Sequence, residues 1–192
     1  FVYSVVRTPI LSEEALREQG VFILPRPREI GAFTLETHTD EPFTVADLEG
    51  KWTFAFFGFT NCPDICPTTM AVMGQARRNL GSDAFQGLLV SVDPERDTAE
   101  VLGNYATAFA PVFIGVRGTN AEVAGFAQQV NVAFAKVPLT REDGSPDPTG
   151  YLVDHSANIV IINPRGHYHG FIKYPQQADT ITAAFQSLSA NF

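Results

Sequence analysis

The segment Trp52 to Leu80, WTFAFFGFTNCPDICPTTMAVMGQARRNL, constrains the fold more than any other part of this chain. Trp52 to Phe59 is an almost unbroken apolar run, rich in aromatics, too short for a helix and suited to a strand covered on both faces. Thr60 and Asn61 end it, and Cys62 and Cys66 follow with Pro63, Asp64 and Ile65 between them. Pro67 disfavours helical backbone at Cys66 and itself suits a first helical position, so a helix is predicted from Pro67 to about Leu80, stopped by Gly81. The thiols then lie in a loop where a buried strand turns into a helix. Even at helical spacing, residues four apart have Cα atoms roughly 6 Å apart, inside the span of about 4.4 to 6.8 Å that a disulfide bridges. In either geometry the sulfurs can reach each other or share one metal ion.

The mouth of a helix favours thiolate over thiol, because its unpaired N–H groups carry partial positive charge. Asp64 opposes this and makes a second thiolate costly without a cation nearby. These two cysteines are the only ones in 192 residues, too close for a long-range structural bridge, and therefore read as chemistry. The net charge of −8 argues against nucleic acid and against a polybasic membrane contact. No run approaches the roughly 18 apolar residues of a membrane span.

Along the chain, Ser12 to Gln19 reads as a short capped helix and Leu24 to Arg28 as an extended linker. Phe33 to His38 and Phe43 to Val45 form a small N-terminal hairpin. Gly87 to Val92 is a second buried strand, followed by a helix over Thr98 to Phe109, a short strand over Pro111 to Val116 and a helix over Asn120 to Val130 with Asn120 as its cap. Val132 to Val137 reads as a strand. Leu139 to Gly150, LTREDGSPDPTG, reads as a long polar loop inserted before the last two strands, Asn158 to Ile162 and Tyr168 to Tyr174. Gln176 to Leu188 closes the chain as an amphipathic helix. Strand, helix, strand with buried strands implies a parallel βαβ unit, and the whole plan is an α/β, thioredoxin-like fold: a central mixed sheet flanked by helices, with two cysteines after the first core strand.

Three stretches, FGFTNCPDICPTTM (Phe57 to Met70), SVDPERDT (Ser91 to Thr98) and YLVDHSANIVIINPRG (Tyr151 to Gly166), together resemble the Sco/SenC proteins, thioredoxin-fold copper-binding factors that help assemble the copper centre of cytochrome c oxidase. The resemblance runs from about Ala32 to the C-terminus. It implies copper, Cu(I) or Cu(II), as the bound metal and Cys62, Cys66 and His155 as its ligands. It further implies partners: cytochrome c oxidase subunit II or another apo-copper protein as recipient, a copper donor, and a thioredoxin-like reductant for the cysteine pair. The implied location is the periplasm or the outer face of the inner membrane, or the mitochondrial inner membrane facing the intermembrane space. Residues 1–30 are expected to be a tail or linker following a removed anchor or signal, with Phe1 to Val6 as its stub, and residues 31–192 the copper-binding domain.

The donor set suits that metal, since thiolates match Cu(I) and imidazole matches either copper state. The competing expectation is a thiol-disulfide reductase with Cys62 and Cys66 as its catalytic redox pair. A thiol peroxidase fits poorly, because Phe59 and not Thr stands three residues before Cys62. Other candidates read as structural. Met70 and Met73 at helical spacing are core, His38 is a surface residue, His167 and His169 alternate on an exposed hairpin, and Asp93, Glu95 and Asp97 make an acidic turn without the glycine and glutamate of a calcium loop.

Overall fold

A computed structural model describes residues 9–82 and 84–192; Phe1 to Val6 lie outside the described residues. The elements, in order, are α1 (Glu13–Glu18), β1 (Val21–Glu29), β2 (Thr34–Thr37), β3 (Pro42–Thr44), a 3₁₀ turn (Val45–Leu48), β4 (Thr53–Gly58), α2 (Ile65–Leu80), β5 (Gln86–Ser91), α3 (Ala99–Phe109), β6 (Ile114–Arg117), α4 (Asn120–Gln129), β7 (Phe134–Thr140), β8 (Pro146–His155), β9 (Ile159–Ile162), β10 (His167–Ile172) and α5 (Ala178–Ala190). Eight strands form one mixed sheet in the order β1-β10-β9-β4-β5-β6-β2-β3. β4, β5 and β6 run parallel and β9 lies antiparallel to β4. The βαβ unit β4-α2-β5 is the one expected from the apolar runs, and this sheet flanked by helices is thioredoxin-like.

β4 is the centre of the core. All six of its residues are buried, and its side chains alternate between the two faces. Phe54 meets Phe85 and Phe185 of α5, while Phe57 meets Phe126 of α4. Helices therefore cover both faces, which is why the strand carries no polar alternation. Met70 and Met73 of α2 are fully buried, as their spacing predicts.

Several local expectations are corrected. Leu24 to Arg28 is not a linker: it is part of β1, an edge strand paired antiparallel with β10. Pro25 and Pro27 fall within the register break between Ile23 and Arg28, where no ladder N–H is required of them. The stretch Leu139 to Gly150 is not a long loop, because β7 and β8 continue through most of it and form a separate two-stranded hairpin. Pro138 and Pro146 hid these strands, yet each strand of a two-stranded ribbon has one unpaired edge where proline is tolerated. α2 starts at Ile65, so Cys66 sits inside its first turn; the N–H that Pro67 lacks would have had no intrahelical partner there. α4 is capped by Thr119, whose side chain and Glu122 form a reciprocal capping box, rather than by Asn120.

Candidate metal centre

Cys62, Cys66 and His155 come together although 89 residues separate Cys66 from His155. Their donor atoms all lie within 4.8 Å of one another. The cysteines hang from the junction of β4 and α2, and His155 ends β8, immediately before β9 returns beside β4. Pairing of β4 with β9 is what closes the distance.

The two thiols differ. Cys66 is completely buried, whereas Cys62 is half-exposed, and both are free. The Cys66 sulfur rests on the end of β4, where a Cβ added to Gly58 would come within 3.0 Å of it. Backbone N–H of Cys66 donates to Cys62 Sγ at 3.3 Å. The hydrogen bond from the Cys66 thiol, reinforced by that backbone N–H, brings Cys62 down to about 4. Donating the same bond, together with burial, pushes Cys66 up. One proton thus serves the pair: Cys62 is the exposed thiolate and Cys66 the buried thiol.

His155 is oriented by its own surroundings. Nδ1 lies 3.0 Å from the Ser156 carbonyl, which can only accept, so Nδ1 carries the proton and donates it. Nε2 is turned toward the cysteines, 3.4 Å from Cys66 Sγ. Phe56 and Phe59 meet the imidazole edge-on and wall it from the sheet. A cleft of about 210 Å³ opens beside the group, lined by Pro63, Ile65 and Leu152 among others. Two soft sulfurs and one imidazole nitrogen at this spacing, reachable from solvent on the Cys62 side, fit a soft or borderline metal ion that must enter and leave.

The remaining histidines are not brought to this group. His38 Nδ1 accepts from the Gly115 N–H, and the ring packs over Gly103, so it is a half-buried structural residue and not a surface one. His169 is also half-buried, edge-on to Trp52 and hydrogen-bonded to Asn163, and burial lowers its pKa. The SVDPERDT stretch, expected as an acidic turn, has its first and last aspartates fully buried. Asp97 accepts from Thr60 N–H, from Thr60 Oγ1 at 2.6 Å and from Ser91 Oγ at 2.7 Å, and burial pushes its carboxyl up. Asp93 Oδ2 pairs with Arg96 Nε at 2.5 Å and Oδ1 accepts from Tyr151 Oη at 2.6 Å. Sequence reasoning missed these roles; the available signal was an aspartate just past a strand read as buried, where an unpaired charge would be costly.

Comparison with known proteins finds relatives of this chain. The SCO1/SenC family model matches residues 24–190. A relative in Stutzerimonas stutzeri is 33% identical over 185 residues, covering 94% of this chain and 87% of that protein. The mitochondrial SCO1 homologue of Homo sapiens is 32% identical over 175 residues, 89% of this chain but 56% of its own length, so the chain spans little more than half of that relative. Among solved structures, Arabidopsis thaliana ScoI with copper bound superposes with a TM-score of 0.72 at 32% identity, covering 84% of this chain and 99% of that one.

Proposed function

This chain belongs to the SCO1/SenC family, and from that premise we propose that it binds one copper ion through Cys62, Cys66 and His155 and passes it to an apo-copper protein in the assembly of the copper centre of cytochrome c oxidase. The observation that carries the proposal is the convergence of exactly the soft donors copper needs, two sulfurs and Nε2, within 4.8 Å. Copper is cargo in this reading. Cys62 faces solvent, so its sulfur is the ligand an incoming thiolate of the recipient displaces first. Cys66 regains its proton as the ion leaves, and the His155 ring stays tethered to the Ser156 carbonyl throughout. A recipient with cysteine ligands can thus take the ion by stepwise exchange without the ion entering water.

A second reading has its own support. An exposed low-pKa thiolate beside a buried thiol is the arrangement a thiol-disulfide reductase uses. Cys62 would attack a partner disulfide, giving a mixed disulfide and one free partner thiol. Cys66 would then attack Cys62 Sγ, release the second partner thiol and leave the Cys62–Cys66 disulfide, which an external dithiol must reduce. His155→Ala separates the readings. It should weaken copper(I) binding at least about tenfold while leaving dithiol–disulfide cycling intact. Undiminished copper affinity in that variant would leave the histidine structural and put the reductase reading first.

Extracytoplasmic placement follows the same family reading. Among the described residues no helix is long and apolar enough to cross a membrane. A cysteine pair that must be reduced to hold copper, in an oxidising compartment, requires a dedicated thioredoxin-like reductant.

A further inference from the structure

The hairpin that carries His155 is not hydrogen-bonded into the main sheet. β7 and β8 pair only with each other, and after Phe134 every residue of β7 is exposed. Val153 is buried against the core, and Phe134 and Tyr151 pack on it half-buried. A turn that follows β5, residues 93–97, makes a set of polar attachments to the hairpin.

The turn grips the hairpin at Tyr151, four residues before His155 on β8. Tyr151 Oη donates to buried Asp93, and Arg96, ion-paired to the same carboxylate, lays its guanidinium 4.0 Å from the Tyr151 ring centroid. Arg96 Nη1 also donates to the Tyr151 carbonyl at 3.2 Å. Lys136 of β7 pairs with Glu95, and its ammonium lies 4.6 Å from the Tyr151 ring centroid. Tyr151 is therefore held at its hydroxyl, its ring and its backbone. Arg96 reaches the cysteine side as well, with Phe59 5.8 Å below its guanidinium. The other end of the same turn holds that side directly, because Asp97 takes both the N–H and the hydroxyl of Thr60, two residues before Cys62.

Resting on the copper reading above, we propose that the 93–97 turn is the positioning element of the metal site, with Tyr151, clamped by Asp93 and Arg96, setting how far His155 stands from the two sulfurs. Neither Tyr151 nor Arg96 belongs to the donor group of Cys62, Cys66 and His155. Their effect passes through His155, and this distinguishes them from residues that only stabilise the fold. Tyr151→Phe removes one hydroxyl and leaves Asp93 Oδ1 without that donor. Arg96→Lys keeps the charge on Asp93 and loses the planar stack on Tyr151.

The test is a double-mutant cycle on the full chain, reading copper(I) affinity by competition with a chromogenic chelator. Tyr151→Phe alone should weaken binding about tenfold, the scale seen for groups that orient a metal-ligating histidine. Added to His155→Ala, it should cost no more than about twofold further, because the ligand it positions is gone. Equal losses in both backgrounds would mean that Tyr151 acts on the thiols or on the fold at large, and would overturn the proposal. No loss in either, while His155→Ala still weakens copper, would overturn the positioning role and leave the copper reading standing. A copper-free measurement is independent of that reading: amide exchange over residues 151–155 in the reduced apo-protein should rise in both Tyr151→Phe and Arg96→Lys, with exchange in β4 unchanged. Unchanged exchange over 151–155 would show that the clamp does not hold the hairpin.

Discussion

The two halves of the donor set are mounted on very different supports. Cys62 and Cys66 extend from β4, which is buried along its whole length, paired with β5 at six positions and with β9 on its other side. His155 ends a two-stranded hairpin whose β7 is solvent-exposed beyond its first residue and whose tether is a set of side chains. Local opening costs least where few apolar contacts are lost. The thiol half is consequently fixed by the core itself, and the imidazole half is an arm held by side-chain contacts. In the copper reading proposed above, the two sulfurs would be set in place by the core and the imidazole by side-chain contacts.

The strongest way to break this contrast is to remove the fixed half. Oxidation to the Cys62–Cys66 disulfide takes away both thiolates, so copper binding should be lost altogether, as read by titrating copper(I) into oxidised and reduced protein at equal concentration. Equal affinity in the two forms would show that the cysteine thiolates do not hold the ion.

Next in size is the asymmetry between the sulfurs. With Cys62 brought down to about 4 and Cys66 pushed up, alkylation of the reduced protein at pH 6 should label Cys62 and spare Cys66. Labelling should fall away only as pH drops through about 4, where Cys62 takes up its proton. Mass spectrometry of peptides after brief labelling decides it; comparable labelling of both cysteines would mean that the helix turn does not bury Cys66.

The smallest effects concern stability and sharpen the comparison. Phe56→Ala, beneath the site in β4, empties a fully buried position and should cost about 3 to 5 kcal/mol in urea unfolding. Leu152→Ala, on the arm and 42% exposed, should stay within about 0.5 kcal/mol. Similar costs would mean that the arm is as integral to the fold as β4.

The chain itself determined everything that local patterning encodes. The apolar run of β4, the periodicity of α2 and the serine and threonine caps at Ser12 and Thr98 give the βαβ core and the helices, because a segment buried on both faces must be apolar throughout. The cysteine pair and its motifs likewise picked out three donors that do converge. What remained illegible has one physical cause: it depends on partners far away in the chain. The first half of β7 was read as a strand, but β1, the end of β7 and β8 contain prolines and exposed polar residues, so they carry no period-2 signal, and only pairing with β10, or of β7 with β8, makes them strands. Asp93 and Asp97 read as a solvated acidic turn because nothing in SVDPERDT announces that Tyr151 and Thr60 arrive as their donors. The exposed thiolate and buried thiol are equally a tertiary product, since two cysteines four residues apart become different only when one of them packs against Gly58 at the end of β4 and the other is left facing water.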